Sequence, residues 1–319
     1  MADPLLSIRG LCVDYITSRG PVRAIDDVSL DIMPGEVVGV AGESGSGKST
    51  MAQALLRILP PPAVISGGAV HFEGRDILSL GEPELRAIRW KRISMVFQSA
   101  MDALNPVLTV GDQVADALVI HSAASHRAAR ARAAELLKMV GMSEAHLDAY
   151  AHQLSGGMRQ RVGIAIALAL EPALVILDEP TTALDVIVER EILEQIRALQ
   201  QRLEFAVLFI THDLTRMLQF SDRVAVFYAG RLVEIGPAAE MRRAPRHPYT
   251  QALLRAFPSI RSANAGLTSI PGAPPSLQDP PPGCRFHPRC DRVDTLCRER
   301  TPELRLLAPN HAAACHLAE

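Results

Sequence analysis

Three observations predict an α/β chain built on a parallel sheet, with a helical insertion and a small irregular tail. Upstream of Pro245, short apolar strands alternate with helical segments, and those strands end in polar residues. Twelve of the 23 prolines lie beyond residue 244, together with four of the five cysteines. Parallel strands are buried on both faces and need helical crossovers, so continuous apolar runs alternating with helices specify that class. Proline fixes φ and lacks an N–H, which excludes a continuous helix or a central strand from the last segment. The boundary falls near Pro245, giving domains of residues 1–244 and 245–319.

The first strand is Val37-Val38-Gly39-Val40-Ala41. It runs into Gly42-Glu43-Ser44-Gly45-Ser46-Gly47-Lys48-Ser49, and helical spacing follows from Lys48 to Leu59 until Pro60. Strand, Gly-rich turn and helix in this order fit a phosphate loop. Its glycines aim backbone N–H groups at phosphate oxygens, Lys48 reaches the β and γ phosphates, and the Ser49 hydroxyl ligates Mg2+. Gly42, Ser44, Gly45, Gly47, Lys48, Ser49 and Thr50 are therefore assigned to a nucleotide. Ala, Arg and Glu dominate from Ala123 to Leu137 without a strand-like run, predicting a helical subdomain over about 100–160. Arg127, Arg130 and Arg132 read there as a solvated helix face rather than a nucleic-acid contact.

Leu154-Ser155-Gly156-Gly157 opens an apolar helix ending at Leu170, either an anion-binding start or a simple capped one. A second buried strand, Leu174 to Leu177, ends in Asp178-Glu179. One carboxylate can hold Mg2+ and the next can polarise an attacking water; the plain alternative is a solvated strand end. A helical pattern covers Val188 to Leu203, and a third strand, Ala206 to Ile210, precedes Thr211-His212-Asp213. Such sheets bind ligands at the carboxyl ends of their strands.

Charge and composition narrow the function. Thirty-three Lys plus Arg against 35 Asp plus Glu leave a net charge of -2, so no overall basic field attracts nucleic acid. Aromatics at 4% argue against base stacking. The longest apolar run, Val162 to Leu170, falls short of the ~18 to 20 residues of a bilayer span. The start lacks a basic region followed by an apolar one, so the expectation is a cytosolic chain without a secretory signal. In a reducing compartment, the cluster Cys284, Cys290, Cys297 and Cys315 suits metal better than disulfides. Five, six and seventeen residues separate these cysteines in turn, none of them the short knuckle of structural zinc sites. Four thiolates suit a [4Fe-4S] cluster or Zn2+, with unliganded structural thiols as the third option and His287, His311 and His316 as substitute ligands.

The phosphate loop, Leu154-Ser155-Gly156-Gly157, the strand ending in Asp178-Glu179, Ala183-Leu184-Asp185 and the strand ending in Thr211-His212-Asp213 together resemble the ATP-binding-cassette (ABC) ATPases, in order and interval, over residues of about 5–240. The resemblance implies a P-loop NTPase core and a head-to-tail dimer with two sandwiched ATP molecules. It implies that Ser155, Gly156 and Gly157 meet the γ-phosphate bound by the other subunit. Glu179 is then the catalytic carboxylate, His212 holds the γ-phosphate, and Asp185 links the two sites. Gln98 and Asp178 join Ser49 at Mg2+, with Gln98 also touching the attacking water, and adenine stacks on Tyr15. For Tyr15 the plain alternative is a core strand residue.

Met158 departs from the glutamine of many relatives. Ser155-Gly156-Gly157-Met158-Arg159-Gln160-Arg161 is similar to the version in bacterial peptide and nickel importers, as are Asn105-Pro106, His247-Pro248-Tyr249-Thr250 and the stretch from Gly283 to Cys290. This likeness implies an ATP-hydrolysing subunit at the cytoplasmic face of the bacterial plasma membrane, powering di- and oligopeptide uptake. Its implied partners are two transmembrane permease subunits, a second ABC ATPase that is often a different chain, and an extracytoplasmic substrate-binding protein acting through the permease; no nucleic acid is among them. Relatives thought to carry a cluster favour [4Fe-4S] over Zn2+ in the tail. Nickel, glutathione or another small solute is the alternative cargo. A soluble cassette acting on ribosomes or DNA, and a redox sensor built on the tail, are the rival classes.

Overall fold

A computed structural model describes residues 3–98, 104–122, 124–182, 184–256 and 270–318. Ala183 of the Ala183-Leu184-Asp185 motif and Ala123 lie outside them, as do residues 100–103 of the expected helical stretch.

The chain opens with two long antiparallel strands, β1 (Leu6–Thr17) and β2 (Gly20–Ile32). The sequence reading offers a strand here only as the plain alternative for Tyr15, because register shifts between Ile8 and Asp14 interrupt the two-residue alternation that marks a half-buried strand. β3 (Val37–Ala41), buried throughout, leads into α1 (Lys48–Leu55). α1 stops before the expected Leu59: Arg57 adopts a φ of 51°, and the Ile58 N–H bonds the Gln53 carbonyl at 3.0 Å. That left-handed stop satisfies a carbonyl of the last turn. There follow β4 (Ala63–Phe72), β5 (Arg75–Asp76), α2 (Glu82–Ile88), β6 (Ile93–Val96), α3 (Val110–Ser122), α4 (His126–Met139), α5 (Gly156–Leu168), β7 (Leu174–Asp178), α6 (Val186–Leu203) and β8 (Ala206–Ile210). The remainder is α7 (Leu214–Phe220), β9 (Arg223–Tyr228), β10 (Arg231–Pro237), α8 (Ala238–Arg243), α9 (Pro248–Ala256), α10 (Thr295–Glu299), β11 (Arg305–Ala308) and β12 (His311–Ala313).

These elements form two compact units. The first comprises the residues up to 32, 37–78 and those from 209 onward. It contains an antiparallel sheet in the order β2-β1-β4-β5 and five strands in the order β11-β12-β10-β9-β3. β3 runs parallel to β9, with Val38 opposite Arg223 and Ala41 opposite Val226. The fully buried Phe72, Phe227, Tyr228 and Tyr249 belong to this unit. The segment beyond residue 244, read from its prolines as irregular, contributes the β11–β12 hairpin, and β12 pairs with β10 at Glu234↔Ala313 and Ile235↔Ala312.

The second unit comprises residues 33–36 and 79–208. Within it β6 runs parallel to β7, with Ile93 opposite Leu174 and Val96 opposite Leu177. Helices α3 and α4 lie in the stretch expected to be helical, and α5 is the apolar helix expected after Leu154, ending at Leu168 rather than Leu170. Along α4, Ala129, Ala133, Leu136 and Leu137 are buried at helical spacing, and the Ser125 hydroxyl caps the helix by accepting from the Ala128 N–H at 3.3 Å. Arg127 is exposed, but Arg130 donates to Asp112 at 2.8 Å and also to Asp148, and Arg132 donates to Glu135 at 2.6 Å and to Glu171 at 2.8 Å. Two of the three arginines thus tie α4 to neighbouring segments instead of only facing water. Among the described residues, no helix is long and apolar enough to cross a membrane.

Candidate functional site

In the first unit, the buried β3 delivers the chain into the Gly-rich loop. Gly42 has a φ of 152°, and a Cβ there would stand 2.3 Å from the Phe227 carbonyl oxygen; at Gly47, φ is 100° and a Cβ would stand 2.6 Å from the Ala24 carbonyl oxygen. Both obstacles are backbone, so neither position tolerates a side chain. Lys48 opens α1 and is 6% exposed. Its ammonium donates to the Gly42 carbonyl at 2.8 Å, the Glu43 carbonyl at 3.0 Å and the Ser46 hydroxyl at 3.4 Å. The lysine is folded over oxygens of its own loop, which phosphate oxygens can replace. Ser44 and Gly45 lie at the exposed crest of the loop, and Ser49 and Thr50 occupy the first turn of α1, where N–H groups and the helix field favour an anion. Tyr15 is half-buried on β1 with its hydroxyl 3.3 Å from that of Thr50. His212 is exposed between β8 and α7, and the next residue, Asp213, caps α7 by accepting from the Arg216 N–H at 3.1 Å.

In the second unit, Asp178 ends β7 and is 4% exposed. Glu179 then leaves the strand with a φ of 47°, a left-handed conformation that side-chain residues seldom adopt and that the surroundings must enforce. Its carboxylate oxygen accepts from the Gln98 amide at 2.9 Å and from the Thr182 hydroxyl at 3.0 Å. The structure therefore joins Gln98 to Glu179, 81 residues apart, and adds Thr182, which the sequence reading misses. A hydroxyl three positions after the carboxylate is the signal that was available. The Ser155 hydroxyl caps α5 by accepting from the Met158 N–H at 3.3 Å, and Gly156 and Gly157 are the first residues of that helix. A Cβ on Gly157 would stand 2.7 Å from the Val188 methyl on α6, so helix packing alone already restricts this position. Asp185 is the residue before α6, exposed, and its carboxylate makes no capping bond.

The four clustered cysteines share one location in the first unit. Cys284, Cys290, Cys297 and Cys315 all line one narrow pocket with free space of only about 10 Å3, with His247, His287 and His316 also on its walls. The Cys284 N–H bonds the Cys297 carbonyl at 2.8 Å, and the Cys297 N–H bonds Asp294 at 2.9 Å, which caps α10. Burial pushes the Cys284 thiol up to about 11 and raises Cys290 and Cys297 as well. Without a positive group in the cavity these thiols stay protonated, so thiolate ligation has to be driven by the metal itself. His311 is not on the cavity wall: its Nε2 lies 2.7 Å from Glu234 on β10, with both residues buried, which removes it from the substitute ligands. Among the described residues, no group of three or more His, Cys, Asp or Glu converges as a ready-made metal site.

The sequence matches two family models, one described as ABC transporter over residues 25–182 and one described as oligopeptide/dipeptide transporter, C-terminal region, over residues 233–297. The dipeptide transport ATP-binding protein DppD of Bacillus subtilis (strain 168) is 43% identical over 99% of this chain and 96% of its own length. DppD of Escherichia coli (strain K12) is 42% identical over 98% and 96%, and the oligopeptide transport ATP-binding protein OppD of Bacillus subtilis is 43% identical over 96% and 87%. Among solved structures, the dimeric ATP-binding cassette MJ0796, in a post-hydrolysis state bound to ADP and Pi, is 31% identical with a TM-score of 0.66, covering 73% of this chain and 98% of its own.

Proposed function

The chain belongs to the ABC transporter family and is an ATPase, and from that premise we propose that its ATP hydrolysis drives import of di- and oligopeptides through two separate permease subunits. One observation carries the cargo class: likeness to peptide-transport ATP-binding proteins runs along 98% to 99% of the chain, tail included. The cassette spans residues 1–244, with its helical subdomain at about 100–160, and the region specific to peptide importers spans 245–319.

In this reading the backbone of the Gly42–Gly47 turn cradles the phosphates, and Lys48 exchanges its loop carbonyls for the β and γ oxygens. Ser49, Asp178 and Gln98 supply the hard oxygen donors that would hold Mg2+, which when bound screens the charge of the phosphates. Glu179 orients the attacking water and accepts its proton, while Gln98 and Thr182 keep the carboxylate in one orientation. His212 holds the γ-phosphate and Tyr15 lies against adenine. Ser155, Gly156 and Gly157 serve the nucleotide of a second, homologous ATPase subunit, and Asp185 links the paired sites. The pair works at the cytoplasmic face of the bacterial plasma membrane, and an extracytoplasmic binding protein delivers peptide to the permease.

For the tail we infer a four-thiolate group; its support is that all four cysteines line one pocket, although they do not converge there as a ready-made site. Cys284, Cys290, Cys297 and Cys315 would hold a [4Fe-4S] cluster in preference to Zn2+, and the cluster would supply a covalent cross-link to a segment poor in apolar contacts. The main test is transport. Membrane vesicles carrying this chain, its second ATPase and the permeases are expected to accumulate a labelled dipeptide when ATP is supplied. Glu179→Gln, combined with the equivalent change in the second ATPase, is expected to abolish accumulation while ATP still binds. ATP-driven uptake of nickel or glutathione without dipeptide would transfer the cargo, and dipeptide uptake unaffected by Glu179→Gln would overturn the catalytic assignment.

A further inference from the structure

Glu43 is the first side chain of the phosphate loop, and a carboxylate beside a phosphate site repels the ligand unless something neutralises it. The neutralising group comes from far along the chain. Arg289, next to Cys290, donates from its two terminal nitrogens to the two Glu43 oxygens at 2.7 and 3.0 Å, a bidentate fork. The Arg289 side chain is 5% exposed and is itself aimed by the Pro271 carbonyl at 2.8 Å and the Tyr228 hydroxyl at 3.2 Å. The Glu43 backbone is fixed from the same direction, because its N–H donates to the hydroxyl of the buried Tyr249 at 3.0 Å. Its carbonyl in turn accepts from Lys48 at 3.0 Å, so the placement of Glu43 sets the starting position of the phosphate-binding lysine.

A second arginine of the same segment secures the other side of the loop. Arg285, next to Cys284, donates to Asp26 at 2.5 Å and to the Ala229 carbonyl. The adjoining Gly230 N–H bonds the Ser46 carbonyl at 3.0 Å, and the Gly230 carbonyl accepts from the Asp26 N–H at 2.9 Å. The loop is thus held at Glu43 directly by Arg289, and at Ser46 by Gly230, whose neighbour Ala229 and partner Asp26 are bound by Arg285.

We propose that Arg289 is a positioning residue for ATP: by pairing with Glu43 it fixes the phosphate loop, and the segment from Cys284 to Cys290 acts as a brace on nucleotide binding. The proposal rests on the reading of the loop as the ATP site and is independent of which metal, if any, the cysteines hold. The test is a double-mutant cycle on the full-length chain, reading equilibrium MgATP binding and thermal melting together. Glu43→Gln and Arg289→Gln are each expected to raise the Kd about tenfold, and the double variant is expected to be no worse than either single one. Arg289→Lys is expected to recover only part of the loss, since it keeps the charge but not the fork. Both single variants break a buried ion pair and are expected to melt below wild type, so binding is read at a temperature where each variant is fully folded, which separates loop positioning from general destabilisation. An unchanged Kd in Glu43→Gln and Arg289→Gln, or losses that simply add, would overturn the brace. Wild-type protein that binds no MgATP would instead overturn the loop assignment beneath it.

Discussion

Lys48 and Ser155 both belong to glycine-rich helix starts, yet they are expected to fail differently. Lys48→Ala removes the cation that the loop holds over its own carbonyls, so MgATP affinity of the isolated full-length chain is expected to fall by about tenfold or more. Ser155→Arg places a bulky cation at the start of α5, in the other unit from the loop. Binding by this chain is expected to persist, while ATP-dependent pairing with the second ATPase, read by light scattering, is lost. Equal loss of binding in both variants would assign Ser155 to its own subunit's nucleotide. Residues of this kind were legible in the sequence because each motif is contiguous: the turn, its lysine and the helix follow one another. Thr182 and Arg289 were not, since each is defined by what it touches and Arg289 meets its partner 246 residues away.

Where β12 joins β10, a buried acid does the fastening. Glu234 is fully buried and accepts from the Arg246 N–H at 2.6 Å and the His247 N–H at 2.9 Å, with His311 Nε2 at 2.7 Å. Burial alone would raise its pKa, but the bonds from His311 and the two backbone groups prevail and hold it below the usual carboxylate range. The unfolded chain therefore binds the proton more readily than the folded one. Its stabilisation is complete above the unfolded value of about 4.3 and is lost as pH falls through the lower folded value. Glu234→Gln is expected to cost about 1–3 kcal/mol near neutral pH and to flatten the acid limb of the melting curve. Identical acid limbs in variant and wild type would exclude Glu234 as the titrating group. Elements were legible in proportion to their regularity. β3, β7 and β8 are unbroken apolar runs; β1 was hidden by its bulges, and β11 and β12 by short length and an exposed Leu306.

Across the whole molecule, the tail is tied down by long-range polar contacts, Arg285 to Asp26 and Arg289 to Glu43, and by the pairing of β12 with β10. Anaerobically purified full-length protein is expected to carry about four irons per chain. Replacing any one of Cys284, Cys290, Cys297 or Cys315 by Ser is expected to release the iron and open the residues beyond Pro271 to protease. Stoichiometric zinc without iron would replace the cluster by a zinc staple, and four freely alkylated thiols in a protease-resistant tail would remove both. The grip of Tyr249 and Arg289 on the loop has a further consequence for engineering. A gene shortened after residue 244 keeps every motif of the ATP-binding cassette, yet discards the counterion of its first loop side chain. Tails are therefore not interchangeable parts: a chimera of two such ATPases has to inherit the acid after the first loop glycine and the arginine before the second tail cysteine as a matched set.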